Sequence, residues 1–236
     1  MNFSLYIAKR YLFTKTNNNA INIITIIASF GVIVGSLALF IILSGFSGLR
    51  TFSYSLLDAS DPDIKITSAK GKSFVLTDAV SKKINQNLAI QASSKIIEER
   101  VFLEHNDKNE IALIKGVQEN YAQITSIDSS LYIGAWLDKE YINTAVVGRT
   151  IAIKLSLGVR SFGAPLSIMV PKGGTGFINP NNAFYKTNVQ IVGLYTGTEE
   201  FESKFVFVNL EEARNLLRFK ENQITGLELK LKNALD

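Results

Sequence analysis

The chain has 236 residues, no cysteine, one histidine and a formal net charge of +4. No cysteine means no disulfide and no thiolate metal site, and a lone His105 leaves no room for a histidine-based metal cluster. The positive charge is not a nucleic-acid footprint: residues 1–50 hold Lys9, Arg10, Lys15 and Arg50 with no acid, while residues 51–236 balance 21 basic against 21 acidic side chains. A basic excess flanking an apolar run is a membrane-topology signal.

The first predicted element, Phe3 to Phe13, reads as a helix at a membrane interface. Apolar residues nearly encircle it, but aromatics with Lys9 and Arg10 suit the headgroup level. No charge then occurs between Lys15 and Arg50. Crossing about 30 Å of hydrocarbon takes roughly 20 helical residues, and Ile23 to Leu43 supplies 21. Thr25, Ser29 and Ser36 are its polar residues, and their hydroxyls can bond back to helix carbonyls. A cleaved signal peptide has a shorter apolar core nearer the N-terminus. Ser44 to Gly48 offers small residues for cleavage, yet the core starts too late and runs too long, so an uncleaved span is expected. Lys9, Arg10 and Lys15 before the span put the N-terminus in the cytoplasm and the remainder outside. Ala28, Gly31, Gly35 and Ala38 share a helix face, and Gly31-xxx-Gly35 would let another helix approach closely.

After Pro62 the pattern changes. Asp63 to Thr67 alternates like a strand. Thr77 caps a predicted helix, Asp78 to Asn87. Ile96 to Leu103 and Ile111 to Val117 read as strands of a hairpin joined by His105 to Asn109, with His105 expected as a solvated turn residue. Glu119 to Ile127 is a predicted short helix. The strand Ala145 to Val147 leads into a helix, Gly148 to Leu157. Leu166 to Val170 and Val189 to Tyr195 are strands around a long loop. The last third repeats the early order: strand Phe205 to Val208, helix Leu210 to Leu217, strand Leu227 to Leu231. The expected fold class is α+β: one N-terminal transmembrane helix, then two β-α-β units enclosing a β-rich inserted subdomain. The expected divisions are 1–19, 20–57 and 58–236, with the insert at about 111–196.

No catalytic, cofactor or metal site is expected. Lys172-Gly173-Gly174-Thr175-Gly176 is the nearest thing to a phosphate loop but lacks the Lys-Ser/Thr that ends one. No G-x-S-x-G elbow occurs. The carboxylate pairs Glu98-Glu99, Glu199-Glu200 and Glu211-Glu212 are adjacent in sequence and read as solvated charges, because strand neighbours point to opposite faces. The loop Pro171 to Lys186 (PKGGTGFINPNNAFYK) carries Lys172, Gly173, Thr175, Phe177, Ile178, Pro180, Phe184 and Tyr185 among turn formers. A connection this long is often functional. Its aromatics either contact a partner or pack down on the domain.

Several stretches together resemble the LolC/LolE-type permeases of lipoprotein-releasing ABC transporters, within the group that has a MacB-like periplasmic core domain and an FtsX-like membrane domain. They are IAKRYLFTK, GVIVGSLALFIILSGFSGL, Ile114 to Val117 (IKGV), Val146 to Val159 (VVGRTIAIKLSLGV), Ile168 to Pro171 (IMVP) and Val189 to Leu217 (VQIVGLYTGTEEFESKFVFVNLEEARNLL). Arg160 to Pro165 departs from the family's Gly-Asp turn. Family members continue into three further transmembrane helices, so the chain reads as an N-terminal portion. The resemblance implies a non-catalytic inner-membrane subunit with a periplasmic main domain. Its implied partners are a cytoplasmic ABC ATPase, a second permease copy or paralogue, a lipoprotein substrate and a periplasmic lipoprotein chaperone. It implies no cofactor and no nucleic acid. The loop from Lys172 would be the chaperone-binding hairpin, and Gly31 and Gly35 would pack the span against partner helices. A related MacB- or FtsX-type permease with another substrate, or a single-pass anchored binding module, are the alternative readings.

Overall fold

The computed structural model describes residues 3–13, 19–58, 61–159, 164–172 and 183–232. The chain forms two compact units, 1–54 and 55–236.

The first unit holds helix α1 (Phe3–Phe13) and most of helix α2 (Asn19–Asp58). Within α2, Ile23–Phe52 is 30 residues long, contains an 18-residue window of mean hydropathy 2.7, and has no buried residue. At 1.5 Å per residue that is about 45 Å, more than the hydrocarbon thickness of a bilayer. The apolar helix thus extends past the expected Leu43. Ser36 donates to the carbonyls of Val32 at 2.9 Å and Ile33 at 3.0 Å, which satisfies its hydroxyl inside the helix.

The second unit is a mixed α/β domain. In chain order it comprises β1 (Ile64–Thr67), β2 (Phe74–Val75), α3 (Asp78–Gln86), β3 (Ile90–His105), β4 (Lys108–Val117), a 3-10 turn at Glu119–Tyr121 and α4 (Ala122–Thr125). A second 3-10 turn at Ile127–Ser130 leads to β5 (Leu131–Gly134), β6 (Thr144–Gly148), α5 (Arg149–Leu155), β7 (Leu166–Pro171) and β8 (Phe184–Tyr195). Then come α6 (Glu199–Glu202), β9 (Phe205–Asn209), α7 (Leu210–Leu217), β10 (Gln223–Ile224) and β11 (Gly226–Leu231). Thr77 takes the N-cap position of α3 with extended backbone, but its side chain makes no cap hydrogen bond.

Nine strands form one sheet in the order β1-β11-β3-β4-β9-β6-β8-β5, and β7 pairs with both β3 and β8. The path β3-β4-β9-β6-β8-β7 therefore returns to β3. The long strands make this possible by changing neighbours along their length. β3 gives residues 90–96 to β11 and 102–104 to β7. β8 gives 184–189 to β7 and 193–195 to β5. β1 and β3 run parallel with β11 between them, joined through α3, and β9 and β11 run parallel, joined through α7. Residues 111–196 contribute strands to this same sheet.

Side-chain alternation sorts each strand onto two faces. Val206 and Val208 of β9 join an aliphatic core with Ile97, Leu103, Ile114, Ile151, Leu155 and Leu216. Phe205 and Phe207 join a second cluster with Tyr121, Tyr195 and Val146, against which Trp136 and Phe201 pack. Burial on both faces explains the unbroken apolar runs Ala145–Val147 and Phe205–Val208.

His105 corrects the sequence expectation. The β3–β4 turn is only two residues, Asn106 and Asp107, both left-handed at φ 46° and 64°. Such a turn matches the twist of a hairpin, and Asn and Asp tolerate that conformation. The short turn extends β3 to residue 105 and aims the ring inward. His105 is buried, with Nδ1 2.9 Å from the Leu155 carbonyl at the end of α5 and Nε2 3.0 Å from the Ala164 carbonyl. It fastens the hairpin tip to the segment between α5 and β7. Replacing His105 with Ala should lower unfolding free energy by roughly 1–3 kcal/mol, since a buried ring that packs the hairpin tip and the one N–H it gives to a carbonyl are both lost. Replacing half-buried Glu104, whose carboxylate meets Lys186 at 3.5 Å near the surface, with Gln should change it by less than about 1 kcal/mol. Chemical denaturation of the two variants checks the contrast.

Candidate functional site

Four charged side chains form a row across the first four strands of the sheet. Lys65 lies on β1, Glu228 on β11, Glu98 on β3 and Lys115 on β4. Lys65 pairs with Glu98 at 2.7 Å and Glu228 at 3.6 Å, and Lys115 with Glu228 at 2.8 Å and Glu98 at 3.2 Å. The register creates the row: Lys65 stands opposite Glu228, and Glu98 opposite Lys115. The Glu228 side chain is fully buried and that of Lys115 is 5% exposed. Lys115 Nζ also sits 5.0 Å from the Tyr121 ring centroid and 5.3 Å from that of Phe205, close enough for cation–π attraction. Burial works to raise the Glu98 carboxyl, but Lys115 and Lys65 outweigh it and hold Glu98 below its usual value. Burial and the Glu228 charge push the Tyr121 hydroxyl well up, so it stays protonated. Two cations against two anions leave no net charge. Glu98 is therefore not the solvated charge its sequence suggests. Glu99 points the other way, to Lys72 at 2.8 Å.

A second polar centre is Glu202, at the end of α6. Its buried carboxylate accepts from Thr196 Oγ1 at 2.6 Å, the Gly197 amide at 3.0 Å and Thr150 Oγ1 at 2.9 Å, with Arg149 Nε at 3.7 Å. Burial would raise the carboxyl, but these donors and Arg149 hold it lower than usual. Gly148 is required here, because an added methyl would overlap the Glu202 backbone. Tyr195 donates to the Phe201 or Phe205 carbonyl, at 2.9 and 3.0 Å. Glu212 is also engaged, accepting from the Asn143 and Thr144 amides, while Glu199, Glu200 and Glu211 are exposed as expected.

Gly173, Thr175, Phe177, Ile178 and Pro180 lie outside the described residues; Lys172, Phe184 and Tyr185 mark the base of their loop. The Lys172 amide donates to the Ala183 carbonyl at 2.8 Å, closing that base. Phe184 packs edge-on against Phe102 with centroids 5.7 Å apart. The Tyr185 ring lies between Lys172 Nζ at 5.1 Å and Arg218 Cζ at 4.8 Å. At these two positions the aromatics pack on the domain. Gly31 and Gly35 have open space beside them.

The family model for the MacB-like periplasmic core domain matches residues 25–236. The chain belongs to that family. Among its relatives, the lipoprotein-releasing system transmembrane protein LolE of Haemophilus influenzae is 24% identical over 235 residues, covering 98% of this chain and 55% of LolE. A LolC of Buchnera aphidicola is 24% identical over 234 residues, covering 98% of this chain and 56% of LolC. The chain thus spans about half the length of the curated relatives it matches. Among solved structures, the extracellular domain of the ABC-type transporter YknZ from Gram-positive bacteria aligns with TM-score 0.49 and 9% identity over 70% of this chain and 77% of that one. The periplasmic region of MacB from Actinobacillus actinomycetemcomitans aligns with TM-score 0.46 and 11% identity over 71% and 67%. Both likenesses are loose.

Within this MacB-like domain the sequence stretches that carry the resemblance meet. Gly148, Arg149 and Thr150 come from one, and Tyr195, Thr196, Gly197 and Glu202 from another. Lys115 and Gly116 come from the IKGV stretch. Gly116 lies under Ala213 of α7 with no space for a side chain. Sequence reasoning missed the ion row because its members are up to 163 residues apart, between Lys65 and Glu228, and only strand register joins them.

Lys115→Met should destabilise the domain by about 3–5 kcal/mol, because a buried charge loses its partner. Adding Glu228→Leu should recover most of that loss. Acid acts through Glu98. Because its folded pKa is depressed, its contribution is complete above the ordinary value of 4.5 and is lost as pH falls through the folded value. Stability should hold from pH 7 to 5 and fall below about 4.5, with a smaller fall in Lys115→Met. Urea titrations over that pH range measure both.

Proposed function

We propose that the chain is the N-terminal part of a permease subunit of an ABC transporter that releases lipoproteins from the inner membrane toward a periplasmic chaperone. The observation that carries this is the pairing of a 30-residue apolar helix with a MacB-like domain in one chain, supported by relatives named for lipoprotein release. In this reading residues 1–19 lie at the cytoplasmic surface beside a separate ATPase subunit, which supplies ATP hydrolysis. Residues 20–57 cross the membrane with the N-terminus cytoplasmic, and 58–236 form the periplasmic domain with its insert at about 111–196. Gly31 and Gly35 receive helices of the same subunit or of a second copy or paralogue. The loop from Lys172 to Lys186 captures the chaperone. The chain has no catalytic role of its own. Motion of the apolar helix enters the domain at β1, which the ion row holds to the sheet. The family model is that of the wider MacB-like group, which favours one second reading: the same mechanics with another cargo.

Depleting the protein from its own cells should leave lipoproteins in the inner-membrane fraction. An unchanged distribution, with the complex otherwise assembled, would favour the second reading. The loop is tested separately. Replacing residues 173–182 with an Asn-Gly turn should reduce crosslinking to the soluble chaperone at least roughly tenfold, a loss of about 1.4 kcal/mol or more, while ATP hydrolysis by the assembled complex is unchanged. Undiminished crosslinking would rule out the loop as the capture site.

A further inference from the structure

β4 accompanies β3 only as far as Ile96, which stands opposite Val117. Beyond that point β3 continues through Lys95, Ser94 and Ser93, paired with β11 on its other side alone. The edge that β4 has left opens into a groove of about 740 Å3 between α3 and the turn at Glu119–Tyr121. Two side-chain amides sit on this edge where a neighbouring strand's peptide groups would be. Gln118 Oε1 accepts from the Lys95 amide at 2.7 Å, and Asn120 Nδ2 donates to the Ser93 carbonyl at 2.9 Å. One supplies the carbonyl and the other the amide of a missing strand. In an antiparallel sheet a residue's N–H and C=O point to the same side, so the Ser93 N–H faces the groove as well. The charged side chains at the groove are already engaged: Lys95 Nζ with Asn222 Oδ1 at 3.2 Å, and Glu119 with Lys139 at 3.2 Å. The rest of the polar lining is neutral hydroxyls and amides, such as Ser81, Asn85 and Gln123, beside a smaller apolar part that includes Leu76 and Ile84.

We propose that this edge is a docking site for an extended, uncharged polar peptide segment of a partner protein, which adds as a strand beside Ser93–Lys95 and displaces the Gln118 and Asn120 amides. Exchange is easy because amide hydrogen bonds replace amide hydrogen bonds of the same kind, while the strand adds contacts along the groove. An uncharged polar segment fits because the polar lining is mostly neutral hydroxyls and amides, Glu119 is ion-paired to Lys139, and the Lys95 ammonium is held by the Asn222 amide oxygen. The two amides serve as placeholders, keeping the edge hydrogen-bonded while it is empty and guarding it against unspecific strand pairing.

The test uses the full chain in detergent micelles and a blocked hexapeptide of alternating threonine and asparagine, followed by NMR of the protein amides. Binding should saturate with a Kd of about 1 mM or below and move the Ser93 and Lys95 amide signals. N-methylating the peptide on the residues that face β3 should weaken binding at least roughly tenfold. N-methylating the other residues should not. Ser93→Pro removes the edge N–H while sparing the β11 ladder, and should weaken binding comparably. The double variant Gln118→Ala with Asn120→Ala clears the edge and should tighten binding. No binding at 5 mM peptide overturns the proposal, as does binding indifferent to the position of N-methylation. The methylated peptides act on the unaltered protein, so this outcome does not depend on any variant folding. Self-association through this edge, abolished by Ser93→Pro and unaffected by the peptide, would make the occupant a second copy and also overturn the proposal.

Discussion

The domain depends on an uncommon arrangement: four charges in a row across β1, β11, β3 and β4, buried at Glu228 and Lys115, half-buried at Glu98 and exposed at Lys65. Each ion taken from water costs several kcal/mol, and only close pairing with opposite charge offsets this. Here each carboxylate meets both ammonium groups, and the ring faces of Tyr121 and Phe205 complete the surroundings of Lys115. An apolar replacement of similar shape would serve stability as well. What ions provide beyond that is register: a one-residue slip of β1 would bring Ile64 or Ile66 opposite Glu228 and leave Lys65 without its partner. β1 has only four residues and lies at the sheet edge with each of them exposed. Hydrophobic burial alone would hold such a strand weakly. The ion row ties the strand that follows the apolar helix in sequence to the middle of the sheet.

The rest of the domain is built to leave that sheet no slack. Both faces are buried, one under aliphatic side chains and the other under a cluster of aromatic rings. Where helices approach the strands most closely, glycine makes room, as Gly148 does for α6 and Gly116 for α7. Glu202 then joins the start of α5 to the turn after β8 through three hydrogen bonds and an ion pair with Arg149. The ion row and the aromatic cluster are continuous, since Phe205 touches Lys115 on one side and Phe201 and Phe207 on the other. A displacement of β1 therefore meets a stiff, connected body.

Much of this is legible in the sequence. The apolar span follows from 34 residues without charge between Lys15 and Arg50. The strands of 145–147, 205–208 and 227–231 and the helices that follow two of them follow from apolar runs and helix starts. Sequence does not reveal what depends on partners far along the chain. Glu98 and Glu99 look alike, yet one faces Lys115 and the other Lys72, and register alone decides which. His105 looks like a turn residue until the turn is seen to be two residues long. The double pairing of β7 leaves no local signature, because it arises from strands long enough to serve two neighbours. Gln118 and Asn120 look like loop polarity and instead occupy a strand edge.

The account's central claim is that β1 belongs to the same cooperative unit as the centre of the sheet, which would let it deliver movement of the apolar helix to the MacB-like domain. Native-state hydrogen exchange on the full chain measures this directly. The account predicts that the paired β1 and β11 amides around Lys65 and Glu228 exchange only through the opening that also releases β3 and β4 around Glu98 and Lys115, with the same free energy and the same denaturant dependence. Exchange of β1 by local fraying, far faster than β3 and β4 and insensitive to denaturant, would contradict it.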